Sequence, residues 1–154
     1  MDIRVDFIDL KDSLSRASGV IQGFKPVHVG LLYGEYYLLV PAGQPSKWHT
    51  RAAVERHLGR FTVHSFKITP DNHSIELAML LGDGHVASSP LWLFLTEFWH
   101  RAADSGLVSF RPQRTACVRV VSNILMSMGL DVDAHTSPTL FKQLSSSSKA
   151  TRLK

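Results

Sequence analysis

Cysteine occurs once in these 154 residues, so no internal disulfide framework staples the chain. Charge is sparse as well. Charged residues make up 19% against 44% hydrophobic, a balance that fits a globular chain and excludes wholesale disorder. The N-terminal run Met1-Asp-Ile-Arg-Val-Asp6 is acidic and has no apolar core of secretory length, so no signal peptide is visible. No apolar run reaches the roughly 18 residues that a membrane-spanning helix needs. The densest one, from Pro90 to Trp99, is broken by Glu97 and closed by His100 and Arg101. Neither a repeat nor a second domain is apparent. These absences predict a soluble, cytoplasmic chain without a membrane span, forming one domain that buries roughly two-thirds of its unfolded surface.

What is present is a change of period along the chain. Ile3 to Ile8 alternates charged and apolar residues, the mark of a strand with one wet face. Asp9 to Ile21 carries Leu10, Leu14, Ala17 and Ile21 at helical spacing, with Asp9 or Asp12 as the cap. Val27–Tyr33 and Tyr36–Val40 are β-prone runs separated by Gly34-Glu35, a tight hairpin. Pro41 to Ser46 reads as a loop, Thr50 to Leu58 as a short helix ended by Gly59, and Phe61 to Ile68 as a further strand. Ser74–Leu81 fits either a strand or a helix. Leu91–Ala103 and Thr115–Met128 read as helices, the second stopped by Gly129. Pro138–Leu144 reads as a last helix with Ser137 as its cap. The expectation is an α+β domain over 1–144, a small antiparallel sheet packed with helices, followed by a loose serine-rich and basic tail over 145–154.

Two segments carry chemistry. In Arg114-Thr-Ala-Cys-Val-Arg-Val-Val121 the cysteine falls in a first helical turn, with Thr115 as cap, where free N–H groups and the helix dipole favour an anion. Those amides would also suit the oxyanion of a tetrahedral intermediate. Cys117, Val121, Ile124 and Met128 form one stripe, so the thiol faces the core, and an inert core cysteine would look the same. In Pro26-Val-His-Val-Gly-Leu-Leu-Tyr-Gly34, His28 shares a strand face with Gly30 and Leu32, while Val29 and Leu31 take the other. Gly30 leaves room beside the ring for a helix or a substrate.

Ordered this way, the segments Ser13-Leu-Ser-Arg-Ala17, Pro26-Val-His28-Val-Gly-Leu-Leu-Tyr-Gly34, Cys117, Gly129 and Ser137-Pro138-Thr-Leu140 resemble the circularly permuted papain-like, NlpC-like cysteine hydrolases, in which the histidine strand precedes the cysteine helix. The resemblance implies a permuted papain-like fold with Cys117 as nucleophile and His28 as general base. Relatives cleave peptidoglycan peptides or other amides, or transfer acyl chains, so a peptide, peptidoglycan or acyl substrate is implied. The family carries an imidazole-orienting polar residue near the end of the following strand. Here that position falls at Val40 or Pro41, which leaves Gln44 or His64 as substitutes. The residue after the cysteine is Val118 where relatives commonly have serine.

The remaining features are weaker. His49, His57 and His64 match no metal-ligand spacing, and neither a metal nor a cofactor is expected. Gly82-Asp-Gly84 is a turn without the glycine pattern of a phosphate loop. Trp92 and Trp99 suit a core or a protein-partner contact better than a base-stacking platform. The net charge of +4 is scattered apart from the tail, so nucleic acid is not an expected partner. Two functions remain. One is a cysteine hydrolase or acyltransferase working through a Cys117–His28 dyad. The other is a catalytically silent papain-like module used for interaction; such compact chains also occur in phages and viruses, where a virion-associated role would fit.

Overall fold

The structure, a computed structural model, describes residues 2–11, 16–17, 19–20, 24, 26, 28–39, 46–72, 75–82, 98–109 and 117–153. Its centre is one antiparallel sheet. Strands β1 (Ile3–Ile8), β2 (His28–Tyr33), β3 (Tyr36–Leu39), β4 (Lys47–Thr50), β5 (Thr62–Ile68) and β6 (Ala150–Arg152) lie in the order β4-β3-β2-β1-β5-β6. The helices are α1 (Arg51–Leu58), α2 (Ile75–Gly82), α3 (Cys117–Ser127) and α4 (Ser137–Ser146), with a further helical segment at 98–104. This is the expected α+β class.

The hairpin forms as read: β2 and β3 pair with Tyr33 opposite Tyr36, and Gly34 takes a φ of +64° at the first central position. A glycine there gives the turn whose twist matches that of its strands. Ser74–Leu81, which fitted either element, is helical at 75–82. Of the helix expected over Asp9–Ile21, residues 9–11 are not helical while 16–17 and 19–20 are; the rest lie outside the described residues, as do 91–97 of the helix expected over Leu91–Ala103. The last helix is capped by Thr136 and not by Ser137, with proline in its first turn.

Two segments differ from expectation. Lys47–Thr50 is an edge strand on β3. The stretch 145–154, expected as a loose tail, supplies the end of α4 and then β6, which pairs with β5 through Phe66 and Arg152, Lys67 and Thr151, and Ile68 and Ala150. Its serines are used locally. Ser145 and Ser146 return their hydroxyls to carbonyls one turn back, and the Lys149 amide bonds the Ser147 hydroxyl.

Both faces of the sheet are covered. Residues opposite one another in an antiparallel ladder point the same way, so Ile3, Val5 and Phe7 share a face with Tyr33, Leu31 and Val29, and Val5 also with Phe66. This first face carries the main core and packs against α3, whose Val118, Val121, Ile124 and Leu125 are buried. The second face carries a smaller cluster in which Val54 and Leu58 of α1 cover Leu32, Tyr37 and Leu39. For this reason β1 does not have the wet face its alternating charges suggested.

Asp6 is the sharpest case, at 2% exposure in the middle strand. Its Oδ1 accepts from Arg4 Nε at 2.8 Å and Ser65 Oγ at 2.8 Å. Its Oδ2 accepts from Tyr37 Oη at 2.8 Å and Arg4 Nη2 at 3.0 Å. Tyr37 reaches it by lying over Gly30. A Cβ at residue 30 would stand 2.4 Å from both Cε1 and Oη of Tyr37. Burial, and then the neighbouring Asp6 charge, hold the Tyr37 phenol far above its ordinary range; burial also raises Tyr33.

Two outcomes follow. Gly30→Ala should cost about 3 kcal/mol in urea unfolding, from overpacking plus a lost buried hydrogen bond, and Tyr37→Phe about 1–2 kcal/mol. The Gly30→Ala cost should shrink in a Tyr37→Leu background; an unchanged cost would mean that the clash lies elsewhere. For pH, a phenol held neutral in the fold retains its proton above pH ~10 while the unfolded chain loses it. Stability is therefore complete below about pH 10 and falls above it. Tyr33 and Tyr37 phenolate absorbance should rise only together with loss of the circular-dichroism signal; ionisation before unfolding would contradict their burial.

Candidate functional site

The helix expected over Thr115–Met128 is present from Cys117 to Ser127 among the described residues. Cys117 is the first described residue of α3, half-buried and packed against the main core. Thr115, its expected cap, lies outside the described residues. At the other end Gly129 takes a φ of +88°, the left-handed conformation that stops a helix. There the Met128 carbonyl accepts from the Asp71 amide at 3.1 Å, just past the end of β5. That corner belongs to the sheet end where β1 starts and β2 and β5 finish, since Ile3 faces Tyr33 and Arg4 faces Lys67.

The direction of α3 follows from this anchor. Eleven residues span about 16 Å, close to the length of a six-residue strand. Packed on β2, the helix runs back towards the end at which β2 begins. His28 is the first described residue of β2, and Cys117 the first described residue of α3. Both members of the expected dyad thus belong to the same end of the sheet.

The pleat separates them in another respect. His28 stands opposite Ile8 and alternates with Val29, so its Cβ starts out on the second face, with Gly30 and Leu32. Cys117 packs on the first. Gly30 does make room beside the ring position, but Tyr37 fills that room, where the sequence suggested a helix or a substrate.

Of the two expected orienters, Gln44 lies outside the described residues, as do Val40 and Pro41. His64 stands opposite Phe7 on the first face. Its ring is 4.7 Å from that of Phe141 and is stacked on Phe24 at 6.1 Å, and its Nδ1 lies 2.9 Å from Arg152 Nη2. These contacts tie His64 to β6 and α4. Of the other histidines considered, His49 faces the second side opposite Tyr37, and His57 is exposed on α1, so the three do not converge. His100, buried at 2%, stacks on His135 at 4.8 Å, and two threonines, Thr136 and Thr139, donate to Asp104 nearby in sequence.

The group that sequence reading missed is the one around Asp6. Its only signal was a charged residue with a basic neighbour two positions away, inside a strand that proves central. Among the described residues no helix is long and apolar enough to cross a membrane. Comparison with protein families, with curated proteins and with solved structures gives no match to this chain.

Proposed function

We propose that this chain is a thiol hydrolase or acyltransferase of the permuted papain-like kind, with Cys117 as nucleophile and His28 as base. The observation that carries the proposal is the polarity of α3, whose N-terminal end points towards the strand end occupied by His28 and whose first described residue is Cys117. With Thr115 as cap, as the sequence suggests, Cys117 falls in the first turn, whose free amides favour negative charge both on the thiolate and on an oxyanion.

In this scheme His28 takes the thiol proton and Cys117 Sγ bonds to the carbonyl carbon of an amide or ester. The carbon–nitrogen or carbon–oxygen bond then breaks, and the leaving group departs with the proton held by His28. Water, or an acceptor hydroxyl or amine, gives a proton to His28 and attacks the thioester, which frees the thiol. Peptides, peptidoglycan stems and acyl esters are the substrate classes that the family resemblance implies.

A second reading draws on the pleat. With His28 starting on the second face and Cys117 packed on the first, the fold would serve as a silent interaction module.

Iodoacetamide separates the two. A thiolate stabilised by His28 and the helix start should be alkylated at pH 7 faster than an ordinary thiol of pKa about 8.5, and His28→Ala should slow the reaction at least tenfold, by about 1.4 kcal/mol or more. Hydrolysis of peptidoglycan fragments, peptides and acyl esters should vanish in Cys117→Ala. Equal alkylation rates in wild type and His28→Ala, with no hydrolysis by either, would establish the silent module instead.

A further inference from the structure

We propose that His64 and Arg152 form a pH-sensitive latch that holds strand β6 against β5. The argument begins with donors and acceptors. A guanidinium only donates, so the ring nitrogen 2.9 Å from Arg152 Nη2 has to accept, and His64 Nδ1 carries no proton. The latched imidazole is therefore neutral, with its hydrogen on Nε2. A proton on Nδ1 would remove the acceptor and set two cations against each other.

The surroundings favour the neutral ring. Phe7 of β1, Phe24 and Phe141 of α4 meet it, all uncharged. Arg152 of β6 is a charged group facing it, and its guanidinium also lies 5.3 Å from the centre of the Phe141 ring. Asp6 and Lys67, charged residues on β1 and β5, point through the other face of the sheet. Lys142, next to Phe141 on α4, lines a surface hollow with Asp104, Asp131 and Lys149.

The strand held this way is weak on its own. It has three residues, its Thr151 and Arg152 side chains are exposed, and beyond it the Leu153 amide donates to the Ser65 carbonyl at 2.8 Å. A histidine whose proton is resisted by the fold contributes stability that is present above its unfolded pKa of about 6.5 and is lost as pH falls below it. The latch holds at neutral pH and opens in acid.

Nuclear magnetic resonance of the full chain tests this between pH 7.5 and 5. The amide resonances of Thr151, Arg152 and Leu153 should shift towards unstructured positions with the same midpoint as the His64 ring. In Arg152→Gln the ring should take up its proton at a pH higher by about half a unit or more, a threefold or greater gain in proton affinity. In His64→Phe, which keeps an aromatic ring among the phenylalanines, the three amides should stop responding to pH across this range. A ring midpoint unchanged by Arg152→Gln, or a strand that still moves in His64→Phe, would overturn the latch.

Discussion

A carboxylate buried in the middle of a sheet has to be satisfied on every side, and Asp6 sets that condition here. Its four accepted hydrogen bonds draw in Arg4 from the same strand, Ser65 from β5 and Tyr37 from β3. Tyr37 has to cross β2 to arrive, which is why residue 30 has no side chain. Three strand registers are thereby fixed together. A one-residue slip of any of them would turn Asp6 or one of its donors to the other face, leaving a charge unpaired in the interior. Arg4 continues outward to Glu55, and Arg51 joins Glu55 to Asp2, so the same network seats α1 on the second face.

With that face occupied, the first is left to the other helices. α3 supplies the apolar ridge, α2 packs beside it, and α4 brings Phe141 into the ring cluster of Phe7, Phe24 and Phe66. The candidate chemistry sits at the edge of this arrangement, at a strand end where side chains are least constrained by the ladder.

The elements that were legible in the sequence are those defined by their own residues. Gly34 marks the hairpin, Gly129 the end of α3 and Pro138 the start of α4, and β1, β2 and β5 show apolar alternation or runs. What was not legible depends on neighbours. Lys47-Trp-His-Thr50 has no strand pattern of its own and is a strand because β3 offers an edge. Ala150-Thr-Arg152, after a serine run, is a strand because β5 does. Asp6 and Arg4 looked solvent-facing because local alternation does not report whether a second layer covers a sheet. At the site the same limit applies: His28 and Cys117 each have the right local setting, but which sheet face each side chain takes emerges only when the ladder and the helix layer are assembled.

Among the described residues the two margins of the sheet are short strands, four residues in β4 and three in β6, and they carry Lys47 and Arg152. Short, positively charged borders discourage one copy from extending its ladder onto another. This protection is unequal, because removing β6 would bare Phe66, Lys67 and Ile68 of β5, two of them large and apolar. Such a border is a template for polymeric β-association, so the last three paired residues act as a guard on the colloidal behaviour of the whole molecule.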